Sequence, residues 1–257
     1  VATADWNPGA YARFRDLRLR PALDLLNAVG RMGAGDVIDL GCGSGVMGEA
    51  LGARAGGRRV IGVDSSPAML AKAGAAPGYD SLQQVDIADW HPVRAPGLIY
   101  SNAALHWVGN HEDLLPRLAA TLTKGGTLAV QMPHQNKAPS HRVWLSLVEE
   151  MFPGRVEKMG TPGVMAPQKY EALLAPKGEF RLWETEYYQR LVAEGGSHPV
   201  RRFTESTYAR PVLQALGQDE KDWMIARYEE AMHAAYPVRA DGSVLFPFRR
   251  LFFTLTV

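Results

Sequence analysis

The feature that most constrains the fold is a glycine-rich turn between an apolar strand and a helical pattern: VIDLGCGSGVMGEALG, Val37 to Gly52. It can be parsed in two frames. From Gly43 it has the Gly-x-Gly-x-x-Gly spacing of a dinucleotide fingerprint, which requires an uninterrupted apolar strand up to its first glycine. That frame fails, because Asp39, Leu40, Gly41 and Cys42 precede Gly43 and would put a charge and an extra glycine in a buried strand. The other frame sets Asp39 at the strand tip. Gly41, Gly43 and Gly45 then let backbone approach a ligand as only residues without Cβ allow, and Gly48 becomes a helix residue packed against the sheet.

Strand and helix signals alternate around this loop. A helix over Leu17–Val29, with Pro21 tolerated near its start, precedes strands at Val37–Leu40, Val60–Val63, Leu82–Val85, Leu98–Ser101 and Thr127–Met132. Between them lie helices at Val46–Arg54, Ser66–Ala73, capped by Ser65 or Ser66, and near Glu112–Leu122. Such alternation implies an α/β fold with a parallel sheet, helices on both faces and ligands at the C-terminal strand ends. Past Pro133 the rhythm changes. A helix is expected at Arg142–Met151, a Gly/Pro-rich passage to Pro167, a strand at Arg181–Tyr188, helices near Glu205–Leu216 and Asp219–Tyr236, and a closing strand at Val244–Val257.

The pattern around Asp39-Leu-Gly-Cys-Gly-Ser-Gly resembles the first motif of class I S-adenosylmethionine (SAM) methyltransferases, and two further strand ends extend the likeness. In VIGVDSSPAML, Asp64 corresponds to the residue that accepts from the ribose hydroxyls. In QVDIADW, Asp86 corresponds to the one that meets the adenine amino group, with Ile87 against the ring. The resemblance implies a Rossmann-like fold with a mostly parallel seven-stranded sheet, its last strand antiparallel, and a helical cap inserted near the C-terminal strands. It implies SAM as cofactor and S-adenosylhomocysteine as product, and adds Ser65 and Met69 to the cofactor contacts. The segment YSNAALHW after the fourth strand lies where this family backs the methyl group. Asn102 there would touch the methionine moiety, and His106 and Trp107 would wall the transfer site.

Over nearly the whole chain the segments DWNPGAYARFRDLRLRPALDLL, SNAALHWVGNHEDLLPRL, GGTLAVQMP, YARPVL and AYPVRADGSVLFPFRRLFF are similar to the trans-aconitate 2-methyltransferase family. That resemblance implies a single methyltransferase domain over 1–257, with residues 1–30 as an N-terminal helical lid and about 189–240 as the helical cap. Tyr11, Phe14 and Arg20 would lie in the lid, Arg20 as a partner for the methionine carboxylate, since a guanidinium forks onto a carboxylate with two charge-assisted hydrogen bonds. An acidic substrate needs convergent cations. Arg210 in YARP and Arg249 and Arg250 in FRRLFF are the candidates, with Tyr187, Tyr188 and His198 as further donors; one arginine of the adjacent pair is expected to face a pocket. His106 and Ala209 stand where the family has glutamine and leucine.

Composition narrows the alternatives. A net charge of +1 provides no field to gather nucleic acid, and the Asn/Asp-Pro-Pro-aromatic signature of base methylation is replaced by SNAA. The longest apolar runs fall short of the ~18–20 residues of a membrane span. One cysteine, Cys42, excludes an internal disulfide or a cysteine metal cluster, and the dispersed histidines suggest no metal site. A cytoplasmic location is expected; a monomer is favoured with oligomeric state left open. The leading expectation is therefore an O-methyltransferase that esterifies a carboxylate of a small acidic metabolite. Its rivals are a malonyl-carrier-protein or N-/C-methyltransferase, an NAD(P) oxidoreductase, and a SAM-binding protein without activity. No Tyr-x-x-x-Lys pair supports the oxidoreductase.

Overall fold

The computed structural model describes residues 15–154, 163–193, 195–205 and 208–257. Seven strands form one sheet in the order β3-β2-β1-β4-β5-β7-β6. These are β1 (Val37–Leu40), β2 (Val60–Asp64), β3 (Ser81–Gln84), β4 (Leu98–Asn102), β5 (Thr127–Pro133), β6 (Glu179–Val192) and β7 (Ser243–Thr256). β1 to β5 pair in parallel, and β7 runs antiparallel to β5 from Thr127↔Thr256 to Pro133↔Arg250. The chain steps outward from β1 to β2 and β3, then returns to β4 on the other side of β1. That reversal is the switch point at which doubly wound, Rossmann-like sheets hold ligands.

The chain divides into two compact units. The first comprises residues 1–133, 164–185 and 250–257. Alternate strand residues build its core on one sheet face: Ile38 and Leu40, Ile61 and Val63, Ile99, Val130 and Met132, Leu251 and Phe253. Leu114, Leu115 and Leu118 of helix α4 (His111–Ala120) cover that face together with Tyr170 and Leu174 of α6 (Pro167–Leu174). Helix α1 (Arg15–Ala28) lies against the opposite face, buries Ala22, Leu25 and Leu26, and accepts a hydrogen bond from the Tyr100 hydroxyl at the Ala22 carbonyl, 2.7 Å away. Helices α2 (Gly48–Ala55) and α3 (Pro67–Ala73) follow β1 and β2.

The second unit comprises residues 134–163 and 186–249. It holds α5 (Pro139–Met151), α7 (Pro199–Glu205), α8 (Arg210–Gln214) and α9 (Gln218–Ala235). Trp144 of α5 and Tyr228 of α9 stack at 3.8 Å between centroids. Both keep their polar ends satisfied: Trp144 Nε1 donates to Thr204 Oγ1 at 3.1 Å, and the Tyr228 hydroxyl to the Ser140 carbonyl at 2.8 Å.

Several expected boundaries shift. The helix expected over Glu205–Leu216 is two, α7 and α8, the second starting at Arg210-Pro211 where proline's missing N–H fits a first turn. α1 begins at Arg15, so Pro21 lies inside it, where packing of Ala22 and Leu25 offsets the lost bond. α6 lies in a stretch for which the sequence pattern gives no element; Pro167 opens a helix whose Tyr170 and Leu174 share a buried face. Among the described residues, no helix is long and apolar enough to cross a membrane, and no cluster of three or more His, Cys, Asp or Glu could hold a metal ion.

Candidate cofactor and transfer site

The glycine loop closes tightly on β2: the Gly41 and Cys42 amides both donate to the Val63 carbonyl, at 2.8 and 2.9 Å. Gly41, Gly43 and Gly45 have φ of 84°, 54° and 80°. At Gly41 a Cβ would overlap that of Ala104 and lie 3.4 Å from Ile87 Cδ1, so this glycine brings the turns after β1, β3 and β4 together. At Gly43 a Cβ would meet nothing within 4 Å, which leaves the loop's backbone accessible. Gly48 has a different role. A Cβ there would lie 2.6 Å from both the Pro77 oxygen and Tyr79 Cε2, so it is a packing glycine, and what it packs on is the tyrosine that holds Asp39.

Asp39 is 3% exposed and accepts a hydrogen bond from the Tyr79 hydroxyl at 2.6 Å. Burial pushes its carboxyl up to about 7; the tyrosine opposes this and the Asp64 charge adds to it. The same burial, and then the negative charge of Asp39, raise Tyr79 and Tyr100 far above the phenol range. Cys42 fills space beneath Gly62, and burial and the two aspartates raise its thiol pKa; the helix N-terminus does not activate it.

Asp64 accepts one amide on each oxygen, Gly43 N on Oδ2 and Ser66 N on Oδ1, both at 2.9 Å. It thus joins the glycine loop to the cap of α3 while each oxygen keeps a further acceptor site. Ser66, not Ser65, caps α3: its Oγ accepts from Met69 N at 3.2 Å, Met69 is buried, and Ser65 is exposed. Asp86 is exposed and its Oδ1 accepts from Ala88 N at 2.8 Å, with Ile87 buried behind it. Arg117 of α4 clamps this turn by donating to the carbonyls of Trp90 (2.6 Å), Ala88 (2.8 Å) and Ile87 (3.3 Å).

At the end of β4, Asn102 Oδ1 is buried with no hydrogen-bond partner. The 3₁₀ turn Leu105–Trp107 follows, with His106 buried, Trp107 half-buried and their rings 5.0 Å apart. This turn is anchored from below. His111 Nε2 lies 2.8 Å from the Leu105 carbonyl, and its Nδ1 2.7 Å from the Tyr170 hydroxyl, which itself receives the Met165 amide at 3.1 Å. A carbonyl can only accept, so Nε2 carries the proton and Nδ1 takes the tyrosine's.

The cationic candidates separate. Arg250, on β7 in the first unit, is 2% exposed and donates from a guanidinium nitrogen to Gln131 Oε1 at 3.2 Å. Arg249, in the second unit, is half exposed and lies 3.7 Å from Glu186. Arg210 and Tyr187 are partly buried in the second unit, and Tyr188 is exposed. His198 is not a free donor: Nε2 bonds the Tyr236 carbonyl at 3.0 Å and Nδ1 accepts from Val200 N at 3.3 Å. Arg20 is exposed on α1 with Nε 2.8 Å from Asp24. Tyr11 and Phe14 lie outside the described residues.

The donor set fits SAM. Asp64 and Asp86 present acceptors, Asn102 Oδ1 is an acceptor with no partner, and Gly43 leaves backbone accessible beside Asp64. Sequence reading passed over Tyr79, Arg117, His111 and Gln131. Apart from Leu105, six positions from His111, their partners lie far along the chain, and only the buried polar character of Gln131 within an apolar strand hinted at a role.

Residues 11–160 match the family model described as a methyltransferase domain. The chain is 39% identical to the trans-aconitate 2-methyltransferase of Paracidovorax citrulli, over 96% of each sequence. It is also 39% identical to that of Methylobacterium nodulans, over 97% of each. Among solved structures, the YcgJ protein of Bacillus subtilis superposes with a TM-score of 0.58 at 14% identity, covering 91% of this chain and 96% of that one, a likeness of fold.

Proposed function

The chain belongs to the SAM-dependent methyltransferases, and from that premise we propose that it methylates a carboxylate of a small acidic metabolite of the trans-aconitate type, forming an ester. The relatives' names point to such an acid. The observation that carries the reading is Arg250, a guanidinium buried to 2% exposure on the strand next to β5. A guanidinium is a donor to which a carboxylate of a polyacid bonds with charge assistance.

The cofactor supplies an electrophilic methyl group on a sulfonium. The protein's part is placement. Asp64 accepts from the ribose hydroxyls, Asp86 and Ile87 hold the adenine, and Asn102 Oδ1 accepts from the ammonium of the methionine moiety. Asp39 and the glycines fix the loop between them, with Ser65 and Met69 at its side. His106 and Trp107 wall the transfer site and keep water out, so that alignment of acceptor oxygen, methyl and sulfur provides the rate. A carboxyl with a reference pKa of about 4 is already ionised at neutral pH, so no general base is required. Arg250 holds a carboxylate that does not react. Within the second unit, Arg210, Arg249 and Tyr187 are the side chains whose replacement tests for an effect on acceptor affinity.

The test is incubation with SAM and a panel of di- and tricarboxylates, scored by mass for base-labile methyl esters. Esters from small free acids are expected. Methylation confined to a carrier-bound acid or to amines overturns the reading, as does turnover with no acid at all.

A further inference from the structure

Gln131 is fully buried on β5, and its amide is half used. Oε1 accepts from the Arg250 guanidinium at 3.2 Å, while Nε2 is buried with no hydrogen-bond partner. The orientation of the amide follows from this contact. Turning it over would set an NH2 group, which only donates, against a guanidinium, which also only donates. Arg250 therefore fixes the amide with a donor aimed away from itself and left unmet, an arrangement that native interiors rarely keep unless something else completes it.

The neighbours indicate what completes it. Gln131 pairs in register with Asn102 of β4 on one side and Phe252 of β7 on the other. In-register residues on adjacent strands share a face, and so do residues two apart on one strand. Asn102, Gln131, Phe252 and Arg250 thus project from the same face of the sheet, in a row leading away from β1 and the glycine loop. Asn102 offers an acceptor with no partner, which suits the cofactor's ammonium. On β5, one strand further out, comes an unmet amide donor, and on β7, the strand after it, a buried guanidinium; together they suit an anion beside that cofactor.

We propose that Gln131 is a specificity-determining residue: its Nε2 donates to a non-reacting carboxylate of the methyl acceptor, whose charge Arg250 balances. The role is distinct from that of Arg250. A guanidinium attracts any anion, whereas a neutral amide held in one orientation demands an acceptor at one place and rejects a group that presents only N–H there. The inference rests on the reading of the acceptor as a polycarboxylate.

The test compares wild type with Gln131→Glu and Gln131→Leu. For each, steady-state KM and kcat are measured for a diacid acceptor and for its analogue in which the non-reacting carboxylate is a carboxamide. S-adenosylhomocysteine affinity is measured by calorimetry, and folding by thermal melting. Gln131→Glu removes the donor, pairs with Arg250 and repels the carboxylate. The expected result is a KM for the diacid raised by at least about tenfold, a factor set by losing one well-placed hydrogen bond to an ion. kcat and S-adenosylhomocysteine affinity should stay within about twofold, and the preference for diacid over carboxamide should fall by at least about tenfold. Gln131→Leu, which adds no charge, should raise the KM for the diacid without altering S-adenosylhomocysteine affinity, and so keeps the test valid if the glutamate variant does not fold. An unchanged preference in variants that fold, or a loss of S-adenosylhomocysteine affinity matching the loss in KM, overturns the role of Gln131 while wild-type esters leave the carboxylate reading standing. Wild type that esterifies no acid overturns both.

Discussion

Replacing Tyr79 with Phe isolates the contact that most distinguishes this glycine loop. The change deletes one hydroxyl, whose hydrogen bond to Asp39 Oδ2 is 2.6 Å long and shielded from water. Two states of Asp39 must be considered, because burial places its carboxyl at about 7, against 3.8 unperturbed. Below that value the folded protein carries a neutral carboxyl, and the lost bond is between neutral groups, worth about 1 kcal/mol. Above it the carboxylate is ionised and the lost bond is to a charge, about 2–3 kcal/mol. The difference corresponds to a further rise of the Asp39 pKa by roughly one unit, at 1.36 kcal/mol per unit.

The sign follows from linkage. A carboxyl whose folded pKa is raised binds a proton in the folded state that the unfolded chain has lost, so stability falls as pH climbs from about 4 towards 7, by an amount on the order of 4 kcal/mol in wild type. The wild-type profile alone does not show this. His141, buried in the second unit, has its pKa lowered to about 3 by burial, and so loses stability as pH falls below its unfolded value of 6.5. The two effects oppose each other across nearly the same window. The difference between variant and wild type removes His141, which is common to both. Chemical denaturation at about pH 5.5 and about pH 8.5 should therefore give a Tyr79→Phe loss of about 1 kcal/mol at the lower pH and about 2–3 kcal/mol at the higher. In an Asp39→Asn background the two losses should be equal. An equal loss at both pH values with Asp39 present would refute the reasoning, because it would mean that Tyr79 does not respond to the charge on Asp39.

Four further outcomes follow from the site. Gly41→Ala, where the new Cβ would overlap Ala104 at a φ of 84°, should weaken S-adenosylhomocysteine binding by at least about tenfold in calorimetry. Gly48→Ala should show up mainly as a lower melting temperature, because its Cβ would press on Tyr79 and Pro77; a larger affinity loss at Gly48 than at Gly41 would reopen the dinucleotide frame. Arg117→Met removes three hydrogen bonds to the carbonyls of the Asp86 turn, so S-adenosylhomocysteine affinity should drop while kcat at saturating SAM holds; unchanged affinity would show that the clamp does not position the turn. His111→Leu frees the Leu105 carbonyl and the Tyr170 hydroxyl beneath the His106–Trp107 turn, and should lower kcat with cofactor affinity preserved; equal losses in both would point to general unfolding.

How far the site was legible depends on how local its causes are. The frame of the glycine loop was readable from Asp39 and Gly41, because strand burial and the steric cost of a Cβ act within a few residues. The parallel core strands were readable for the same reason, each being a short apolar run between turn residues. Tyr79 was not, since its role exists only once β1 and the turn before β3 are side by side, forty positions apart in the chain. His198 misled in the opposite direction. Its residue type suggested a substrate donor, but the Tyr236 carbonyl and Val200 amide use both ring nitrogens. The adjacent arginines show the same limit. FRRLFF predicts that one of the pair is buried, since alternation puts neighbours on opposite faces of a strand, but the identity of the buried one depends on the register between β7 and β5. That register sets Arg250 opposite Pro133 and Phe252 opposite Gln131, which places the guanidinium and the amide on one face. A slip by one residue would put Arg249 there instead and turn Arg250 to the other face. The acceptor specificity proposed here is therefore a property of strand pairing, and β7 is the strand on which a change of substrate class would have to act.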